Sequence, residues 1–148
     1  MNFHLSKMMK EIAPKKATVI PQRIEVEGID TIWHMDMMQM RINKGVKQYI
    51  FGIMDACTRR IMAVKNYENS TANCAVDCLR KAIEDNGGKV PKTLYTDNGR
   101  MFTSMAFEDF CLEMGIQHHR TNPGSPWENG KIERLFGTIR REWIAYRR

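Results

Sequence analysis

The hydrophobic period changes partway along this chain, and that change limits the possible folds more than any other feature. Thr31–Met40, Gln48–Met54 and Arg60–Lys65 have the composition of strands. Asn43-Lys44-Gly45 and Asp55-Ala56-Cys57-Thr58 between them are turn signals, so three strands on short turns predict an antiparallel meander. From Ser70, a candidate cap, the apolar spacing becomes three and four: Ala72, Ala75, Val76, Leu79, Ala82 and Ile83 form the stripe of an amphipathic helix that Asn86-Gly87-Gly88 stops. Thr93–Thr96 is a short strand ending at Asp97-Asn98-Gly99. Thr103 opens a second helix, with Phe107, Phe110, Cys111 and Met114 on one side, and Gly115 closes it. Ile116–His119 is a fifth strand, and Asn122-Pro123-Gly124 is loop. Ser125-Pro126-Trp127-Glu128 is a capping box with Pro at the first helical position, and Ile132, Leu135, Phe136, Ile139 and Trp143 give the last helix its core-facing stripe. The order βββ-α-β-α-β-α predicts an α/β fold, a mixed five-stranded sheet made of a three-strand meander plus two strands, flanked by helices.

The chain's 148 residues, 43% of them hydrophobic, fit one domain with a real core. Residues 1–28 read as a lead-in or linker. Residues 29–148 read as the domain proper, and its last helix, with no stop signal before Arg148, reads as cut from something longer. No apolar run approaches the ~20 residues of a membrane span, and the start has no secretory signal. Cys57, Cys74, Cys78 and Cys111 make no CxxC pair and no zinc spacing with the four histidines, so they read as small apolar residues in a reducing compartment. The net charge is +6, and most of it comes from the C-terminal fifth: seven Lys/Arg against three acids from His118 to Arg148. A basic segment of this kind invites a polyanion, nucleic acid first.

Two carboxylates stand out, one costly where it lies and the other at the end of a strand. Asp36 lies inside an apolar strand between Met35 and Met37, and Asp97 ends the fourth strand just before a turn. Sites gather at the C-terminal ends of parallel strands, so if the first and fourth strands are neighbours these two acids face each other. Two close carboxylates repel, and a divalent cation removes that cost; oxygen ligands without His or Cys favour Mg²⁺ or Mn²⁺. A third acid is then expected. Glu133 sits about two turns into the last helix at the edge of its apolar stripe, whereas Glu128 is already explained by the capping box.

Four segments carry a resemblance. They are Ile32-Trp33-His34-Met35-Asp36; Asp55-Ala56-Cys57-Thr58-Arg59-Arg60-Ile61; Tyr95-Thr96-Asp97-Asn98-Gly99-Arg100-Met101-Phe102-Thr103; and Pro123-Gly124-Ser125-Pro126-Trp127-Glu128-Asn129-Gly130-Lys131-Ile132-Glu133-Arg134. Thirty-five residues lie between Asp97 and Glu133. In order and spacing the sequence resembles the catalytic core of retroviral-type integrases and bacterial insertion-sequence transposases, the DDE superfamily with an RNase H-like fold. The match covers about 29–146; Met101 stands where the family often has Glu. On this resemblance, residues 1–28 would follow a missing N-terminal DNA-binding region.

The resemblance implies a polynucleotidyl transferase that uses two Mg²⁺ or Mn²⁺ ions per site. Asp36 would bridge both ions, Asp97 would hold one and Glu133 the other. It implies hydrolysis at the ends of a DNA element, followed by transfer of the 3′-OH into target DNA. The implied partners are double-stranded DNA, both element ends and target, and further copies of the chain as a homo-oligomer. The implied setting is bacterial cytoplasm, beside the nucleoid. Lys131, Arg134, Asn129 and Arg140 are the expected DNA contacts. Asn98 and Asp55 are expected to be structural, Asn98 in the turn and Asp55 fixing its hairpin. His34 reads as a core histidine, while His118 and His119 receive no role. The rival readings are a ribonuclease H-like nuclease on the same fold, and a remnant that binds DNA without cutting it.

Overall fold

The computed structural model of the chain describes residues 28–42, 44–121 and 126–146, with side chains except those of 126–131 and 143–146. The lead-in up to residue 27 and the Ser125 cap lie outside the described residues. Strands β1 (Ile32–Ile42), β2 (Val46–Asp55) and β3 (Ile61–Tyr67) are followed by α1 (Ala72–Asp85), β4 (Thr93–Thr96), α2 (Arg100–Thr103), α3 (Met105–Glu113), β5 (Gln117–Arg120) and α4 (Pro126–Tyr146).

The five strands form one sheet in the order β3-β2-β1-β4-β5. The meander pairs antiparallel, while β4 joins β1, and β5 joins β4, in parallel. Parallel partners need a crossover, which α1 supplies between β3 and β4 and the α2–α3 pair supplies between β4 and β5. The sheet is thus mixed and flanked by helices, as the change of period predicts.

Alternation along β1 assigns its two faces. Trp33 and Met35 join Phe51, Ile53, Leu94 and the buried faces of α1, α2 and α3 in the larger core. Burying Phe51, Phe102 and Phe107, all 0% exposed, contributes about 1.5–3 kcal/mol each. Met38, Met40 and Ile42 point the other way and pack with Ile50 and Met54 against Ile132, Leu135, Phe136 and Ile139 of α4. Asp36 has the parity of Met38 and therefore lies on the α4 side.

The element ends differ from expectation for local reasons. Thr71 rather than Ser70 caps α1: its backbone is extended and its hydroxyl accepts from Cys74 N at 3.3 Å. Thr103 does not open the second helix but closes the single turn of α2; Ser104, with extended backbone, breaks the chain there and caps α3 by accepting from Phe107 N at 3.3 Å. At the β1–β2 hairpin, Lys44 (φ 54°) and Gly45 (φ 84°) are both left-handed, so pairing persists to Ile42↔Val46 and both strands outrun the predicted ends.

Candidate active site

The site is built where β1 and β4 run side by side. Their parallel register is Ile32↔Thr93, Trp33↔Leu94 and His34↔Tyr95, so Asp36 and Asp97 follow two residues later on adjacent strand paths. The condition set by the sequence is met, and the two carboxylates are neighbours. Burial pushes Asp36 up to about 7, and the nearby Asp97 carboxylate adds to the rise, both as a like charge and as a hydrogen-bond partner of the protonated form. Glu133 on α4 contributes a weaker like-charge push. Against these, Met37 N donates to Asp36 Oδ1 at 2.7 Å, which favours the ionised form.

Asp97 is held by its own turn. Gly99 N donates to Asp97 Oδ1 at 2.8 Å, and Thr96 Oγ1 donates to the Asp97 carbonyl at 2.9 Å. Gly99 is tightly surrounded: a Cβ there would lie 2.6 Å from Met101 Sδ and 3.0 Å from Asp97 Oδ1, so it would push on the carboxylate and on the Met101 side chain. Asn98 Nδ2 reaches the Thr121 carbonyl at 3.4 Å, tying the turn to the end of β5.

Glu133 and Arg134 are exposed on α4. Glu133 feels Asp36 through space, but among the described residues no three His, Cys, Asp or Glu side chains gather into a ready-made metal cluster. Arg140 is also exposed, and its Nη2 approaches Met38 Sδ at 3.6 Å, two residues beyond Asp36 on the same face of β1. Asn129 and Lys131 lie in the first turns of α4, but their side chains fall outside the described ones. The α4 helix sits close to β2 because Gly52, directly across from Asp36 in the β1–β2 register, leaves room; a Cβ there would stand 3.1 Å from Phe136 Cε1.

Asp55 is 0% exposed. Its Oδ2 accepts from Thr58 N at 3.0 Å and from Thr58 Oγ1 at 2.7 Å, and its Oδ1 accepts from Asp30 N at 3.3 Å. It closes the β2–β3 turn and ties it to the start of β1. Cys78 is buried, and burial pushes its thiol up to about 12, so it is an inert core group. His34, half-buried, stacks on Tyr95 at 5.5 Å, and Tyr95 stacks on His119 at 5.5 Å across the next strand pair. Sequence reasoning passed over His118. It is sunk beneath β5 between Glu108 and Thr96, and burial holds its imidazole below the ordinary value against the upward pull of Glu108. The alternation of strand β5 was the one available signal, and it says only which way the ring points.

A mixed sheet of this order, with one acid inside the central β1 and another just past the end of the parallel β4, defines an RNase H-like core. The Integrase core domain family matches residues 28–126, a second family of the same description matches 114–148, and the chain belongs to this family. It is 44% identical over 98 residues to the retrovirus-related Pol polyprotein from transposon TNT 1-94 of Nicotiana tabacum, covering 64% of this chain and 7% of that one. It is 22% identical over 129 residues to the transposase for insertion sequence element IS904 of Lactococcus lactis, covering 87% and 51%. The chain therefore spans about half or much less of the length of these relatives. Among solved structures, the HTLV-2 integrase catalytic core domain in complex with magnesium superposes with a TM-score of 0.66 at 25% identity, over 79% of this chain and 71% of that one. A chain of the simian T-cell lymphotropic virus intasome in complex with PP2A regulatory subunit B56 gamma gives 0.70 at 24%, over 86% and 45%, a likeness of fold. Among the described residues no helix is long and apolar enough to cross a membrane.

Proposed function

We propose that this chain is the catalytic core of a DNA transposase or integrase, cutting and rejoining strands by phosphodiester chemistry. The observation that carries the reading is the Asp36–Asp97 pair, two carboxylates brought together on the central strands, with Asp36 pushed to about 7 by burial and by that neighbour. Like charges this close raise each other's cost of ionisation, and a divalent cation relieves such a pair. An all-oxygen donor set fits Mg²⁺ or Mn²⁺. Asp36 and Asp97 would hold the metal, with Glu133 as the third carboxylate, drawn to the same charge. When bound, two divalent ions supply Lewis acidity to the attacking and leaving oxygens.

In the first step a water oxygen attacks phosphorus at the element's end. The phosphorus–O3′ bond breaks, and the departing oxygen takes a proton to become a free 3′-OH. In the second, that 3′ oxygen attacks a target phosphodiester, loses its proton, and releases a target 3′-OH. Neither step needs a covalent bond to protein. The exposed Arg134 and Arg140, with Lys131 and Asn129 on the same helix, are proposed as phosphate contacts that hold duplex DNA over the acids. Each neutralised phosphate adds about 0.9 to the salt slope of binding. Joining two element ends calls for more than one copy of the chain; the HTLV-2 core's dimeric and trimeric forms support that reading.

The test is strand cleavage of a duplex carrying the element's end, with Mn²⁺ present, comparing the full chain with Asp36→Asn, Asp97→Asn and Glu133→Gln. Each substitution should reduce cutting at least ~100-fold, with DNA affinity changed little. Equal cutting by all four proteins would refute the assignment. Cleavage confined to RNA–DNA hybrids would turn it toward a ribonuclease H-like enzyme.

A further inference from the structure

His118 is held on several sides beneath the sheet. Its side chain is 2% exposed, and Phe107 stands edge-on to its ring at 5.1 Å. Both ring nitrogens are occupied: Nδ1 lies 2.5 Å from Glu108 Oε1 on α3, and Nε2 lies 2.7 Å from Thr96 Oγ1 on β4. An imidazole held at both nitrogens cannot flip or swing without breaking a bond, and the Thr96 side of it is closed to water, Thr96 being 0% exposed.

The chain of contacts continues toward the site. The Thr96 hydroxyl has one proton, and it donates that proton to the Asp97 carbonyl at 2.9 Å. Glu108 Oε1 can only accept, so the one proton of the neutral ring sits on Nδ1, and Nε2, 2.7 Å from Thr96 Oγ1, draws on the same hydroxyl proton; the hydroxyl is held between His118 and the Asp97 carbonyl. The β4–β5 ladder ends at Thr96↔Arg120, and its last backbone bond runs from Thr121 N to Thr96 O at 2.7 Å. The Asp97 carbonyl therefore comes just after the ladder gives out, and the Thr96 hydroxyl satisfies it where a strand partner would otherwise be needed. Its carboxylate is fixed separately, by Gly99 N.

We propose that His118, braced by Glu108, is a positioning residue for Asp97 and acts through the Thr96 hydroxyl. It touches neither DNA nor metal. Its part is to fix the peptide from which the Asp97 carboxylate springs, so that this carboxylate meets a cation without first giving up rotational freedom. A buried imidazole is costly where an apolar side chain would pack against Phe107, and a set orientation at Asp97 is what that cost yields. The inference rests on the reading of Asp97 as a cation ligand.

The test is Mn²⁺ binding to the full chain, followed by the electron-spin signal of free Mn²⁺, with melting curves to confirm folding. Gln at 118 carries its amide where Nε2 was, and Asn carries one where Nδ1 was. His118→Gln should keep affinity within about 2-fold, while His118→Asn and Thr96→Val should lose about 10–100-fold, the usual range for groups that orient a ligand. Thr96→Ser, which restores the hydroxyl, should recover it. Thr96→Val changes shape little and should fold, so the comparison survives even if an imidazole substitution does not. Asp97→Asn is the control. If it binds Mn²⁺ like the parent, the ligand reading fails. If it loses Mn²⁺ while Thr96→Val and His118→Asn bind normally, Asp97 is a ligand and the positioning role is wrong.

Discussion

At the scale of single residues, the carboxylate that the fold penalises most is the one the chemistry would use. Asp36 has a folded value of about 7 against an ordinary 3.8, raised first by burial and then by Asp97. Between those two values the metal-free folded chain binds more protons than the unfolded one, so its stability falls as pH rises through about 7. Asp36→Asn removes the charge, and an amide oxygen can still accept from Met37 N. The variant should therefore melt higher than the parent at pH 8, by on the order of 2 kcal/mol, with the gap closing toward pH 4; identical melting at pH 8 would mean the carboxylate is not strained. Asp36 stood out in the sequence because a carboxylate between apolar neighbours announces its cost, and Asp97 because it closes a strand just before a turn. His118 did not, because its partners lie ten and twenty-two residues away and become neighbours only through strand pairing and a helix crossing.

At the scale of elements, the distance between α4 and the sheet sets how Glu133 stands to the pair, and Gly52 sets that distance. A methyl group there meets Phe136 Cε1 at 3.1 Å and Leu135 Cδ2 at 3.5 Å, so the ring or the helix must give way. Gly52→Ala should cost about 1–3 kcal/mol through overpacking and weaken Mn²⁺ binding as well, because the displaced helix carries Glu133. Adding Phe136→Leu should restore part of both. A melting loss with unchanged Mn²⁺ affinity would separate the helix from the site. The strands and the longer helices were legible from their period, and their misjudged ends show what period omits. The single turn of α2 is too short to have one, and whether Ser70 or Thr71 caps α1 depends on which backbone is extended, not on which side chain is suited to capping.

At the scale of the whole molecule, sheet order turns two distant acids into a site. The antiparallel meander could be read from its short turns, but the insertion of β4 beside β1 could be stated only as a condition, because parallel pairing is made by a crossover and leaves no local mark. If Asp36 and Asp97 hold a cation as proposed, metal binding and folding are linked through β1 and β4. A cation that binds the folded chain alone stabilises it by about 2.7 kcal/mol at a hundred times its dissociation constant, a rise of several degrees in melting temperature for a domain of this size. The cation competes with the proton on Asp36, so the sign of the pH dependence follows: near pH 5.5 the carboxyl is mostly protonated and the added Mn²⁺ raises the melting temperature little, whereas above pH 7.5 it is ionised and the rise is full. Melting curves with and without Mn²⁺ across that range should diverge as pH increases and coincide throughout for Asp97→Asn. Parallel curves for the parent chain, with a constant gap at every pH, would mean the cation sits away from Asp36.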